Sequence, residues 1–296
     1  MKNMVSIKEK LRDIFGSEVS IKSKQSVAGG DINEAYRLLL SNGEEVFLKI
    51  NNGAGENFFR AEANGLLALK DAGANVPEVL GLGNEPTGER FLLLSYERSD
   101  WPAQDYWTLL GHNLANIHRA KTVYWTREGV YGFYEDNFIG ATKQKNSPMP
   151  GWTEFFRDNR LGWQMELADH YFDKEDRRLC HKLLEKLGDF LVEPQFPSLL
   201  HGDLWNGNVM PDRFGKPMLI DPAVYVGHHE ADIAMTELFG GFSHIFYNAY
   251  HEIVPKESGY AERRDIYNLY HLLNHLNLFG GSYLAAVRRI LKRYVG

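Results

Sequence analysis

The sequence predicts an α+β fold in two lobes: an antiparallel sheet with one helix, then a larger and mainly helical part. Two patterns lead there. Residues 19–50 alternate short apolar runs with Gly-Gly and Asn-Gly turns, the signature of antiparallel hairpins. From Trp101 onward the apolar spacing changes to steps of three and four, the period of helices. A chain of 296 residues also lies near the length at which one core divides in two.

Composition narrows the class. Hydrophobic residues make up 44% and aromatic residues 13%, enough for a substantial core. The net charge of −6 argues against a nucleic-acid binder, which would need a basic surface. No run reaches the length of about 18 apolar residues that a membrane helix requires. Residues 1–15 are polar and amphipathic, unlike a signal peptide, so a cytoplasmic protein without membrane contact is expected. Cys180 is the single cysteine, which excludes an internal disulfide; its helical neighbours Leu183, Leu184 and Leu187 predict a buried thiol.

Taken in order, 19–21 and 25–27 read as strand, followed by Gly29-Gly30-Asp31-Ile32-Asn33. The two glycines would let backbone N–H groups approach phosphates, because no Cβ stands in the way. Their spacing departs from G-x-G-x-x-G. Strands at 35–40 and 46–50 flank Ser41-Asn42-Gly43, and the second carries Lys49 within Val46-Phe47-Leu48-Lys49. A helix over 57–72 puts Glu62 on a stripe with Phe59, Leu66 and Leu69. A carboxylate there needs a buried partner, for which Lys49 is the candidate; Glu56 is a second, less well placed acid for the same pair.

Strands at 79–82 and 91–95 complete a five-stranded sheet. Tyr96-Glu97-Arg98 then forms the hinge, whose backbone would meet the edge of an adenine, and the lobes divide between 97 and 98. Helices follow at 106–118, 152–170, 174–191, 230–239, 242–253, 261–279 and 282–294. Residues 120–151 lack a period and are rich in Gly, Asn, Pro and aromatics, a length of irregular chain that is more often functional than filler.

The chemistry concentrates in 201–208, H-G-D-L-W-N-G-N, and in Leu219-Ile220-Asp221-Pro222. Phosphoryl transfer to a hydroxyl needs one carboxylate to receive the proton, with an Asn five residues later and a second Asp to hold a hard cation. Asp203, Asn208 and Asp221 have that spacing, and a hairpin across 209–220 returns the chain to the same place.

With Gly202 where protein kinases have Arg, the segment resembles the aminoglycoside phosphotransferase and choline kinase branch of the protein-kinase-like fold. More closely, the chain resembles the fructosamine kinases, or ketosamine 3-kinases. Gly29-Gly30-Asp31-Ile32-Asn33, Phe47-Leu48-Lys49-Ile50, Trp152-Thr153-Glu154-Phe155-Phe156 with Arg160-Leu161, H-G-D-L-W, and 225–235, Y-V-G-H-H-E-A-D-I-A-M, carry that likeness nearly end to end.

The resemblance implies transfer of the ATP γ-phosphoryl group to O3 of a ketosamine, free or on a protein lysine, with Mg²⁺. Asp203 would be the base, Asn208 and Asp221 the metal ligands, and Lys49, positioned by Glu62, the phosphate contact. Gly29, Gly30, Tyr96, Glu97 and Arg98 would surround the rest of the nucleotide. Trp205, His228 and Glu230 would face the acceptor, while Asp232 and His201 would support the catalytic loop. Pro222-Ala223 in place of Phe-Gly after Asp221 means that the activation switch of protein kinases does not carry over. Asp31, where some relatives have cysteine, removes thiol control of the glycine loop. The rival readings are another small-molecule kinase of this fold, a silent nucleotide binder and a metal-dependent hydrolase on His201, Asp203 and Asp221. The four residues Lys49, Asp203, Asn208 and Asp221 speak against the second, and the Lys49–Glu62 arrangement against the third.

Overall fold

The structure is a computed structural model that describes residues 5–27, 33–53, 55, 57–126 and 130–296. Gly29, Gly30 and Glu56 lie outside the described residues.

The chain opens with helix α1 (Ile7–Phe15), started by a reciprocal Ser6–Glu9 capping box. Strands β1 (Ile21–Ser26), β2 (Glu34–Leu40) and β3 (Glu45–Asn51) follow, then helix α2 (Phe58–Asp71) and strands β4 (Val79–Asn84) and β5 (Arg90–Ser95). The strands form one antiparallel sheet in the order β1-β2-β3-β5-β4. The two short runs expected at 19–21 and 25–27 are one strand, with Val19 buried just before it.

Both faces of the sheet are covered, which explains the unbroken apolar run Phe91-Leu92-Leu93-Leu94. Phe91 and Leu93 join Leu38, Leu48 and Ile50 under α1, whereas Leu92 and Leu94 pack with Phe59 and Leu66 of α2. Because side chains alternate along a strand, β3 sends Val46, Leu48 and Ile50 to the α1 side and Phe47 and Lys49 to the other.

After 96–105 the chain turns helical with α3 (Tyr106–His118). The irregular stretch that follows contains a short hairpin, β6 (Asn137–Ile139) with β7 (Thr142–Gln144). The single helix expected at 152–170 is instead α4 (Trp152–Phe156), a wide π turn Arg157–Gly162, and α5 (Trp163–Leu167). The wide turn directs Arg160 into the core, where it is completely buried.

Next come α6 (Lys174–Glu185), α7 (Leu187–Phe190), β8 (Ser198–Leu200), the hairpin β9 (Val209–Pro211) and β10 (Pro217–Leu219), and β11 (Tyr225–Gly227), which pairs with β8. Helices α8 (Glu230–Leu238), α9 (His244–Ile253), α10 (Tyr260–Phe279) and α11 (Leu284–Val295) complete the chain. One large apolar cluster, centred on Trp152, Phe155, Tyr225, Tyr267 and Leu273, joins most of these elements. Cys180 is buried within it, and burial pushes its thiol up to about 12. Among the described residues no helix is long and apolar enough to cross a membrane.

Candidate active site

Lys49 stands on β3 opposite Ala35 and Leu92, on the face turned toward α2. Its Nζ lies 2.7 Å from Glu62 Oε1 and 2.5 Å from Asp221 Oδ1. Burial works against a charge on this amine, but the Asp221 and Glu62 carboxylates outweigh it and hold the ammonium protonated.

The loop between β8 and β9 is braced from below. Asp232, in the first turn of α8, accepts the backbone N–H groups of His201 (2.7 Å) and Gly202 (2.9 Å). Its Oδ2 also meets His118 Nε2 at 3.2 Å, and His118 Nδ1 reaches the Tyr250 hydroxyl at 2.8 Å. His201 accepts the Asp203 N–H through Nδ1 (3.3 Å), so its Nε2 carries the hydrogen donated to Ile220 O (3.0 Å). Burial lowers its basicity, keeping that neutral tautomer.

Gly202 has φ +81, and a Cβ there would sit 2.0 Å from Ala223 O. No side chain fits, which accounts for the glycine where an arginine is usual in protein kinases. Asn208 donates through Nδ2 to Asp203 O (2.8 Å) and Asp203 Oδ2 (3.1 Å), leaving its own Oδ1 free to face a cation. The Ile220 N–H donates to Asn208 O at 3.0 Å, joining the end of the hairpin to the loop. Asp221, with φ +53, is the one non-glycine residue in the left-handed region among those described, and its side chain is 44% exposed. That turn swings the carboxylate out of the strand direction and into the cleft.

Asp203 is the group whose acidity departs most usefully from the ordinary. Burial pushes its carboxyl up to about 7, with Asn208 opposing and the Asp221 charge reinforcing. A base poised near neutrality is what proton abstraction from a hydroxyl favours.

These groups line one cleft of about 890 Å³. At one end Val27, Ala35, Leu94 and Met210 offer apolar walls beside Tyr96, Glu97 and Ser99. Arg98 does not join them; its Nε pairs with Glu45 Oε2 at 3.0 Å, the carboxylate on the neighbouring strand having captured it. At the other end Trp205 stands 38% exposed, its indole lying over the Gly207 backbone so closely that a Cβ at 207 would be 2.4 Å from the ring. Trp205 meets Phe239 edge-on at 6.2 Å; Phe239 meets His275 at 4.8 Å, and His275 meets Tyr283 at 5.2 Å. His275 donates through Nδ1 to His271 O (2.8 Å), so its Nε2 is a bare acceptor on the cleft wall.

His228 and Glu230 are absent from that wall. Both are buried beneath it, and Glu230 is gripped at 2.7 Å through each oxygen by Arg263 of α10. The ion pair, rather than a substrate, explains the acid at that position. Sequence reasoning missed Asn137, Phe138, Phe239, Asn274, His275, Phe279 and Tyr283, all on the cleft. Asn137 and Phe138 fall in the irregular stretch 120–151, a length of chain more often functional than filler; for the others the only trace in the sequence is His275 and Phe279, one turn apart on a long helix.

The donor set at Asn208 and Asp221 consists of hard oxygens, an amide carbonyl and a carboxylate with an oxygen to spare, and fits a divalent cation that retains water and phosphate ligands. Among known proteins, the fructosamine kinase family profile matches residues 3–296. A probable ketoamine kinase of Synechocystis sp. is 38% identical over 97% of this chain and 95% of its own. A chloroplastic protein-ribulosamine 3-kinase of Oryza sativa subsp. japonica is 38% identical over 95% of this chain and 81% of its own. A crystal structure from Haemophilus somnus, carrying the provisional name fructosamine-3-kinase, superposes with a TM-score of 0.86 at 32% identity, covering 98% and 97% of the two chains. An aminoglycoside phosphotransferase structure, at 16% identity and a TM-score of 0.66, shares the fold.

Proposed function

The chain belongs to the fructosamine kinase family, and on that premise we propose that it transfers the γ-phosphoryl group of ATP to O3 of a ketosamine, the rearranged adduct of a sugar and an amine. The observation that carries this reading is the meeting of Lys49, Glu62 and Asp221 in the cleft that also holds Asp203, Asn208 and an aromatic acceptor end.

In this reading residues 1–97 form the nucleotide lobe and 98–296 the lobe that supplies base and acceptor site. Adenine lies against Val27, Ala35, Leu94 and Met210, with the backbone at Tyr96 and Glu97 along its edge. Lys49 holds the α and β phosphates, and Glu62 fixes its position. Asn208 Oδ1 and Asp221 hold Mg²⁺, which when bound offsets the charge on the phosphate oxygens. Asp203 orients the O3 hydroxyl and takes its proton as the O3–P bond forms and the bond from phosphorus to the ADP oxygen breaks. Phosphoryl transfer asks chiefly for alignment and charge neutralisation, so few groups suffice.

At the acceptor end, Trp205 and Phe239 offer ring faces to the sugar and to the protonated amine, and His275 Nε2 offers it a hydrogen-bond acceptor. The wall there is open and aromatic, which suits an adduct on a protein lysine as well as a free one. The 3-phosphate then decomposes and returns the amine.

The test is mass spectrometry of products from ribulosamine, fructosamine and erythrulosamine lysine adducts incubated with MgATP, with choline and an aminoglycoside in parallel. Phosphorylated ketosamine is the expected product. Turnover of choline or the aminoglycoside with none of the ketosamines would overturn the assignment.

A further inference from the structure

Arg160 has no role in the reaction as described, yet it is one of the largest completely buried side chains in the molecule. Its guanidinium donates to Lys145 O (2.6 Å), Asn159 O (3.0 Å) and Asn146 Oδ1 (2.8 Å). It also lies over the rings of Tyr225 (3.8 Å) and Phe155 (4.7 Å). Among the described residues no carboxylate is paired with it. A buried cation without a counter-ion is rare because desolvation opposes it, so oxygens and ring faces must compensate, and they do so at the two terminal nitrogens while Nε finds no hydrogen-bond partner among the described residues.

What Arg160 grips leads to the cleft from two sides. Asn146 donates to Asn137 Oδ1 (2.9 Å) and Glu135 O (3.1 Å). Asn137 donates in turn to Val224 O (2.7 Å), and Gln144 donates to both Asn137 Oδ1 (2.7 Å) and Ala223 O (2.9 Å). Ala223 and Val224 lie just after Asp221. On the other side, Asn64 of α2 donates to Glu135 Oε1 (2.5 Å), and Phe58 packs on Phe138 with ring centroids 4.8 Å apart. Helix α2 is the helix that carries Glu62.

We propose that Arg160 is a positioning residue: through Asn146 and Asn137 it makes 135–146 a rigid strut that holds Asp221 and the Glu62 helix in fixed register. This rests on the phosphoryl-transfer reading above and adds to it that the phosphate end of the cleft is permanently assembled. The chain after Asp221 is held by side-chain amides, so no ordering event is needed. Arginine is required because only its planar fork reaches three oxygens at once while stacking on rings.

The test compares Arg160→Lys, Arg160→Met and Asn137→Ala with the wild type. A misplacement of about 1 Å costs on the order of 100-fold in rate, so kcat should fall about 10- to 100-fold in all three. The Mg²⁺ concentration for half-maximal rate at saturating ATP should rise. Without nucleotide or metal, amide hydrogen exchange should quicken across 222–226 and in α2. Asn137→Ala removes the bond to Val224 O and the acceptor shared by Asn146 and Gln144 without emptying the core, leaving only Gln144 on Ala223 O, and it decides the matter if the Arg160 variants fail to fold. Unchanged kcat, Mg²⁺ dependence and exchange at 222–226 in a folded variant, with only a lower melting temperature or faster exchange within 152–167, would overturn the strut. Failure of the wild type to phosphorylate any ketosamine would instead count against the reaction, and the exchange experiment would still report on the strut.

Discussion

Lys49 Nζ and Asp221 Oδ1 lie 2.5 Å apart although 172 residues separate them in the chain. The ammonium comes from the sheet and the carboxylate from the turn after the β9–β10 hairpin, so this contact joins the two sides of the cleft where the proposed reaction would place phosphates. Lys49→Ala should lower kcat/KM about 100- to 1000-fold, the cost of losing one preorganised charge donor. Because the two groups act as a unit, the Lys49→Ala, Asp221→Ala double variant should lose far less than the product of the single losses. Steady-state kinetics on the four proteins checks this; full additivity would mean that the two do not cooperate.

The acidity of Asp203 sets a pH profile. With its carboxyl pushed up to about 7 by burial, kcat/KM should climb roughly tenfold per pH unit below that point and level off above it. A flat profile from about pH 5.5 to 8.5 would reject Asp203 as the base.

The same shift carries a stability cost of definite sign. A folded-state value above that of the unfolded chain gives stability that is full below the ordinary carboxylate range and is lost as pH rises through about 7. Asp203→Asn should therefore abolish turnover yet raise the melting temperature at about pH 8, and the gain should shrink toward about pH 5. Calorimetry at the two pH values checks it.

Asp232 behaves in the opposite sense. Burial opposes its charge, but the bond to His118, the neighbouring His201 ring and the backbone N–H of Gly202 hold its carboxyl below the usual range. Stability from this group is present above the ordinary carboxylate range and is lost as pH falls through the folded-state value. Asp232→Ala leaves two buried N–H donors and the Nε2 of His118 without a partner, and should cost about 3–5 kcal/mol by urea unfolding.

Trp205 should matter to one substrate only. Trp205→Ala is expected to raise the acceptor KM about tenfold, the scale of one ring-face contact with a cation, while leaving the ATP KM within a factor of two. Equal changes in both constants would mean that the indole supports the loop rather than the acceptor.

The parts of this site that could be read from sequence are local or periodic. H-G-D-L-W-N-G-N packs the proposed base, metal ligand and acceptor ring into one loop, and strand and helix periods put Lys49 and Glu62 on facing surfaces. What could not be read depends on partners far along the chain. Glu230 looks like a ligand until Arg263, 33 residues later, takes both oxygens. Arg98 is read at the hinge by its backbone, and nothing local pairs its side chain with Glu45, 53 residues earlier. The far wall of the cleft draws Phe239 from the end of α8, His275 from α10 and Tyr283 from the start of α11, and aromatic residues at helices read as core whether or not they meet a cavity. The wide turn at 157–162 leaves no mark on the apolar period, so the likeness could single out Arg160 but nothing in the spacing says that it is buried.

The burial of Cys180 has a practical consequence. Its thiol is sealed in the core and kept protonated, so a cysteine introduced at an exposed point on either side of the cleft would be the sole nucleophile open to a maleimide. Pairs of dyes could then be attached without first deleting the natural residue, and the separation of the two jaws followed as a distance during turnover.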